Sequence, residues 1–403
     1  MKTLKTDILI FGGGIAGLWL LGQLKKAGYN VLLCEKNSLG GGQTVHTQGM
    51  LHGGLKYTIS GKATEGADSS AKMPNIWEDC LKGNGILNLA DTKILKKGQV
   101  FWAPGKISGA FKNNMAAKLL SGEAHKSDNA KWPEFFKKPK ELDGSIFELE
   151  ETVIDIPSML ETFRTQYADS IFQADSADMT FKMENDSVKS ITYQDTIIEP
   201  QELILTAGQG NAELAEKMDI SNPTSGWPKM QLRPLRQVMV KNIPGELYGH
   251  CVGNGFRPRA TISTHYTKDG EPVWYIGANI AEQINEGKTE EETIAFAKKE
   301  LTSLFPWADF SKCTWATCTI NRAEPEWDGG LMPPKAHLSI VGENILSCWP
   351  TKLTFAPQLA MFIEKHLKEK NITPQNSDSK PTNWKTPPIA QNPWDIATFK
   401  EYV

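Results

Sequence analysis

Gly12, Gly14 and Gly17 follow the apolar run Ile8-Leu9-Ile10-Phe11, and Glu35 stands eighteen residues beyond the third glycine. Residue types at this spacing suit the pyrophosphate and ribose of a dinucleotide. Gly12 permits a tight turn out of a strand, Gly14 lets the backbone approach a phosphate, and Gly17 lets a helix pack closely on a sheet. The phosphates would sit at that helix's N-terminus, where free N–H groups and the dipole favour anions. A carboxylate at Glu35 accepts hydrogen bonds from both ribose hydroxyls, which favours FAD or NAD over NADP. Gly13, Ile15, Ala16 and Lys36 complete the expected contact set.

The elements that must position these residues are a strand ending at Phe11, a helix over Ile15 to Lys26, and a second strand over Val31 to Leu33 that ends in Glu35. Together they form a complete βαβ opening. Beyond Tyr57 the chain turns polar, then helix-like around Met73 to Leu81. Short β-branched and apolar runs from Ile86 to Trp102 read as antiparallel strands. Ser121 to Gly144 reads as a surface excursion anchored by Trp132, Phe135 and Phe136, with a lid over a binding site as the alternative. An amphipathic helix entered through Pro157 follows. Three strands come next, near Ile171 to Gln173, Met179 to Met183 and Val188 to Tyr193. Glu202 to Leu205 then reads as a buried strand that closes on Ala207-Gly208 and a helix over Asn211 to Met218, a second return to the cofactor sheet. Met230 to Ile280 is β-rich, with a hairpin turn at Lys268-Asp269-Gly270-Glu271. Thr289 to Leu304 is a helix with its acids first and its lysines later, and Cys313 to Ile320 a strand.

The expected fold class is therefore α/β (α+β). A dinucleotide-binding domain with a parallel sheet, over 1–85, 147–218 and 325–375, interleaves with a mainly antiparallel β substrate domain over 86–146 and 219–324. Residues 376–403 read as an extended tail pinned by its aromatics. A chain of 403 residues exceeds the roughly 250 to 300 at which one core stops growing, so two domains are expected.

With 44 basic and 47 acidic residues, the net charge of −3 gives no general pull towards nucleic acid or an anionic membrane. The six cysteines are scattered with no CxxC pair, so neither a disulfide framework nor a metal site is read from them. No run reaches the length of a membrane span and no apolar leader precedes the first strand. A reduced, cytoplasmic setting is expected, with peripheral membrane contact left open.

Five blocks carry a likeness to known proteins. They are the opening βαβ unit, Gln43-Thr-Val-His-Thr-Gln-Gly-Met-Leu-His-Gly-Gly-Leu-Lys-Tyr57, Leu203-Ile-Leu-Thr-Ala-Gly208, Arg233-Pro-Leu-Arg-Gln237 and Thr351-Lys-Leu-Thr-Phe-Ala-Pro357. Together they resemble the D-amino-acid oxidase and glycerol-3-phosphate dehydrogenase superfamily of flavoproteins. The second block is most similar to L-2-hydroxyglutarate oxidases. The resemblance implies a Rossmann-like domain holding FAD, either non-covalently or through a covalent link at His46. That histidine matches the position at which dimethylglycine and sarcosine dehydrogenases link FAD. The resemblance also implies that Gln43, Thr44 and His46 reach the pyrophosphate, ribityl chain or ring edge, with Gly49 passing beneath the ring. Ala207 and Gly208 bring backbone close to the nucleotide. Thr351, Lys352, Leu353 and Thr354 lie in the loop before the last helix, where Lys352 would stabilise the reduced flavin anion.

Oxidation of a 2-hydroxy acid moves a hydride from Cα–H to flavin N5 while a base removes the hydroxyl proton. His52 and His265 are the candidates, since imidazole, with a pKa of about 6.5, suits proton transfer at neutral pH. A neutral amine gives up hydride without a strong base, so hydroxy acid and amine substrates both stay open. A small anionic substrate calls for a fixed cation, preferably the bidentate fork of arginine. Among Arg233, Arg236, Arg257, Arg259 and Arg322, the pair Arg257 and Arg259 is the preferred clamp, with Tyr57 and Tyr266 bonding the same group. The expected function is an FAD-dependent oxidase or dehydrogenase acting on a small carboxylate. A flavin monooxygenase, or a flavin-binding protein without turnover, is the alternative. The electron acceptor is left open among oxygen, a quinone and a carrier protein.

Overall fold

In the computed structural model the first strand, β1 (Lys2–Phe11), carries Ile8 to Phe11 consecutively, and all four are buried. A strand covered on both faces needs such a continuous apolar run. β1 pairs in parallel with β2 (Val31–Glu35) on one side and β11 (Thr196–Leu205) on the other. The parallel order extends outwards to β8 (Ile171–Gln173) beside β2 and β18 (Ile345–Trp349) beside β11. β17 (His337–Gly342) closes one edge antiparallel to β18, while β9 (Thr180–Glu184) and β10 (Ser187–Tyr193) extend antiparallel from the early part of β11. The structure describes residues 1–52, 66–105, 124–128, 132–220, 230–252, 258–327, 333–375, 380–381 and 383–402.

The helix Ile15–Lys26 is buried from Ile15 to Leu24 because it lies between this sheet and the helix Ala356–Glu369. A helix enclosed on all sides needs no polar face. That explains the run Ile15-Ala-Gly-Leu-Trp-Leu-Leu21.

The second sheet has the order β16-β12-β15-β14-β13-β4-β6-β5. Its strands are β4 (Gln99–Pro104), β5 (Ala124–Lys126), β6 (Gly144–Leu149), β12 (Met230–Lys241), β13 (Gly249–Cys251), β14 (Ala260–Tyr266), β15 (Pro272–Gly277) and β16 (Thr314–Pro325). All neighbours are antiparallel except β13 and β4. β3 (Ile94–Lys96) pairs separately with β7 (Val153–Ile154). One face of the large sheet is covered by the helix Glu290–Leu304, whose Ile294, Ala297, Leu301 and Leu304 recur at helical spacing and are buried. That helix opens with a capping box between Thr289 and Glu292 and three glutamates in its first turn. Phe135 and Phe136 lie within this core among Trp102, Trp274 and Phe305, far deeper than surface anchors would.

The chain enters the two sheets alternately, with β1–β2, β8–β11 and β17–β18 in the first and β4–β6 and β12–β16 in the second. The boundary expected at residue 147 falls inside β6, all of which pairs in the second sheet, so the return to the first sheet begins only after Leu149.

The tail then crosses both. Trp384 packs on Tyr193 and Phe172, Ile389 bridges to Leu39 just beyond Glu35, and Lys400 bridges to Trp315 of β16. All six cysteines are free thiols. Among the described residues no helix is long and apolar enough to cross a membrane.

Candidate active site

Parallel pairing places the carboxyl ends of β1, β2, β11 and β18 side by side, and with them Gly12 to Gly14, Glu35, Ala207-Gly208 and Thr351 to Thr354. Ligands of such sheets bind in the crevice outside these ends. Gly12 has φ +106°, and a Cβ there would lie 2.7 Å from the backbone of Ala207. At Gly17 a Cβ would lie 2.1 Å from the carbonyl oxygen of Gly12, so the helix can pass this close only without a side chain. Gly14 caps the helix with no side-chain acceptor, and no acidic residue occupies the first turn. The helix therefore presents its positive end to an anion from outside, unlike the self-capped helix Glu290–Leu304.

Glu35 stands beside that end. Its Oε2 accepts from the N–H of Gly13 at 2.6 Å and its Oε1 from that of Asn37 at 2.9 Å. Thr44 Oγ1 accepts from the N–H of Ile15 at 3.0 Å, tying the Gly40–Leu51 segment to the same turn. Lys36 points away to Asp175, 3.7 Å distant. Glycine backbone, a helix terminus and a carboxylate at the end of β2 form a donor and acceptor set that fits a dinucleotide with a free 2′-hydroxyl.

The Gly40–Leu51 segment continues across to the second sheet. Gln43 Nε2 donates to the carbonyl of Ala323 at 3.3 Å. Gln48 Nε2 donates to the carbonyls of Tyr275 and Thr261 at 2.7 and 3.0 Å, straddling β15 and β14. The Tyr275 hydroxyl donates to Gln237 Oε1 at 2.7 Å. His46 lies with Nδ1 2.8 Å from the Gly42 carbonyl, and burial pushes its pKa down. Gly49 accepts from Ile154 N–H at 2.9 Å, which ties the segment to β7 as well.

Thr261, Ser263 and His265 share one face of β14 by the two-residue period of a strand, and each holds a different partner. Thr261 Oγ1 lies 2.9 Å from Nδ1 of His250 on β13. Ser263 Oγ is within 3.4 Å of Gln48 Nε2 and 2.9 Å of His265 Nε2. His265 is only 1% exposed, and its ring stacks on Trp394 from the tail. Burial pushes its pKa down to about 3, so it remains neutral at physiological pH.

His52 stands elsewhere, and its neighbour is His250, not His265. Its Nδ1 lies 3.3 Å from Glu151 Oε2, just beyond β6, and its ring centroid 5.2 Å from that of His250. Its backbone N–H donates to Thr354 Oγ1 at 3.2 Å, which ties it to the turn Leu353–Phe355 at the end of the cofactor crevice. If Nδ1–H donates to the carboxylate, the basic lone pair of the neutral ring is on Nε2. This is the arrangement by which a carboxylate orients a histidine base. His265 does not join this group: it stands four residues further along β14 than Thr261, the residue paired with His250, and stacks there on Trp394. The motifs did not indicate that Glu151 and His250 would meet His52, since each comes from a strand or loop remote in sequence.

The arginines take structural partners. Arg259 Nε donates to Glu300 at 2.7 Å and its Nη2 to Ser303 at 3.1 Å, both on the helix Glu290–Leu304. That places its guanidinium on the helix-covered side and corrects its expected role as an anion clamp. Arg233 forms a two-pronged pair with the buried Glu324, Arg322 pairs with Glu282, and Arg236 bonds the Lys288 carbonyl. Tyr266 donates to Glu246 at 2.5 Å. Arg257 and Tyr57 lie outside the described residues. Lys352 stands over the Phe355 ring at 4.5 Å, and Thr351 Oγ1 donates to the Lys335 carbonyl.

Residues 7–355 match the family described as FAD dependent oxidoreductase. The chain is 36% identical over 397 residues to a probable FAD-dependent oxidoreductase of Pseudomonas aeruginosa, a match covering 98% of this chain and 99% of that one. The crystal structure of an FAD dependent oxidoreductase from the same organism superposes with a TM-score of 0.84 at 34% identity, covering 98% of this chain and 99% of that one. Glycine oxidase from Geobacillus kaustophilus shares the fold with a TM-score of 0.61 at 15% identity, over 95% and 97% of the two chains. L-proline dehydrogenase from P. horikoshii does so with a TM-score of 0.65 at 13% identity, over 92% and 95%.

Proposed function

The chain belongs to the FAD dependent oxidoreductase family, and from that premise we propose that it oxidises a small carboxylate substrate at a carbon bearing a hydroxyl or an amine. The enzyme is FAD-dependent. Gly12 to Gly17, Glu35 and Thr44 would hold the pyrophosphate and ribose, and Gln43, His46 and Lys352 would lie towards the ring. FAD, when bound, supplies the acceptor for the two electrons that leave the substrate carbon.

The chain's own task is to move the heteroatom's proton and fix the substrate. The observation that carries this reading is the contact of His52 with Glu151 while the His52 backbone is tied to Thr354. In this reading Glu151 holds the proton on Nδ1, and Nε2 of His52 takes the proton of a substrate hydroxyl or ammonium. Gln48 and Tyr275 keep the Gly40–Leu51 segment at a fixed distance from the substrate sheet.

Two substrate classes follow from different observations. A base held by a carboxylate favours a 2-hydroxy acid, whose hydroxyl proton must be removed. The glycine oxidase and L-proline dehydrogenase that share the fold favour an amino acid or secondary amine. Anaerobic mixing of the holoenzyme with hydroxy acids, amino acids and secondary amines, followed at the flavin absorbance, separates them: the class that bleaches the flavin is the substrate class. If neither bleaches it, oxidation of small carboxylates is refuted. We take the flavin as non-covalent. Acid precipitation tests this, because a yellow pellet would indicate a link at His46.

A further inference from the structure

His52, Glu151 and His250 converge from three separate segments, and one ligand-capable atom of each lies within 4.8 Å of the others. We infer that these three side chains bind a single divalent transition-metal ion of the Zn²⁺ class. Two imidazoles and a carboxylate form a donor set that suits such ions, and three protein donors leave a further coordination position open.

Donors about 2.1 Å from a shared ion stand roughly 3.4 Å apart in a tetrahedral site. His52 and Glu151 already lie at 3.3 Å, and the donor of His250 is within 4.8 Å of both, so closure is a movement of little more than an ångström. The side chain of His52 is 27% exposed and that of Glu151 10%, and His250 is buried, so His52 is the member with most room to turn. His250 also carries the support that metal-bound histidines need. Its Nδ1 lies 2.9 Å from the hydroxyl oxygen of the fully buried Thr261, which orients the ring.

An ion on His52 Nδ1 requires the neutral ring to carry its proton on Nε2. The nitrogen that would accept the substrate's proton is then occupied. The ion would therefore inhibit oxidation. That consequence rests on the proton role of His52 proposed above, whereas binding itself does not.

Tag-free, FAD-loaded enzyme titrated with Zn²⁺ in a calorimeter should bind one ion per chain. Thr261→Val should weaken binding about tenfold, and Glu151→Gln or His250→Gln at least about a hundredfold, since loss of a donor exceeds loss of an outer partner. FAD content reports folding of each variant. His52→Asn, at the partly exposed position, gives the same test if a buried variant loses its flavin. No binding by the parent enzyme, or equal binding by parent, His52→Asn and Glu151→Gln, would overturn the site. Binding accompanied by chelator-reversible inhibition supports both the site and the proton role. Binding with turnover unchanged supports the site and counts against the proton role.

Discussion

The ring of His265 lies flat on that of Trp394, with centroids 4.4 Å apart and planes 24° from parallel. Trp394 also donates its Nε1–H to the Tyr266 carbonyl at 3.0 Å and is 3% exposed. One residue of the tail thus seals the far end of the polar file on β14. Trp394→Ala removes a buried indole from this contact and should cost about 3 to 5 kcal/mol. Urea unfolding of the holoenzyme checks it. A cost below about 1 kcal/mol, the range of an ordinary surface change, would mean that the tail lies on the sheet without holding it.

The same stack predicts a pH dependence. Burial pushes the pKa of His265 to about 3 from 6.5. Between these values the unfolded chain binds a proton that the folded chain does not, so this contribution favours folding above 6.5 and is lost as pH falls towards 3. His265→Gln removes that contribution. Comparing unfolding free energies of parent and variant at pH 7 and pH 5 should show the parent losing more stability on acidification. Equal losses would mean that His265 takes up its proton as readily folded as unfolded.

These residues show what the sequence made legible. The βαβ opening could be read because strand, turn, helix and acid are contiguous and each residue type has one mechanical reason to be there. The strand carrying His265 was legible as part of a β-rich stretch with a hairpin turn at Lys268 to Glu271. What covers that strand was not, because Trp394 arrives from the tail and Gln48 from the Gly40–Leu51 segment. Glu151 and His250 escaped notice for the same reason: their meeting with His52 is created by the interleaving of the sheets. The pairing of Arg259 with Glu300 was not legible, because a cationic stretch does not reveal which side of a strand will receive a helix.

Arg259→Ala accordingly serves as a test against its expected role. Its side chain is 26% exposed and that of Glu300 is 17% exposed, a half-solvated pair whose loss should cost about 1 kcal/mol. KM for the substrate found in the flavin-bleaching experiment should stay within about twofold, the scatter of a remote change. A rise of KM by about tenfold or more, equivalent to about 1.4 kcal/mol of binding, would return Arg259 to the anion site.

His52→Asn should slow flavin reduction by about 10² to 10⁴, the usual contribution of a general base, while FAD content stays that of the parent. Glu151→Gln should slow it less, because the glutamine can still accept from Nδ1–H but no longer carries the charge that favours the protonated ring. Single-turnover absorbance under anaerobic conditions reads both. Unaltered reduction rates in His52→Asn would remove this cluster from the reaction and leave proton transfer to another group.

Gly17→Ala tests the cofactor turn. The added Cβ would sit 2.1 Å from the Gly12 carbonyl oxygen and 2.8 Å from Thr206 Oγ1, so the helix must retreat from the turn that presents its N–H groups. The protein should fold yet purify largely without flavin. Glu35→Gln is the milder counterpart. It keeps an acceptor for the Gly13 N–H but loses the charge that strengthens hydrogen bonds from ribose hydroxyls, a loss of about 1.5 to 3 kcal/mol for a charged partner. FAD affinity of the apoprotein should fall about 10- to 100-fold by fluorescence titration, since each 1.4 kcal/mol is a factor of ten. A Gly17→Ala protein that retains stoichiometric FAD would show that the nucleotide does not depend on this close approach of helix and strand.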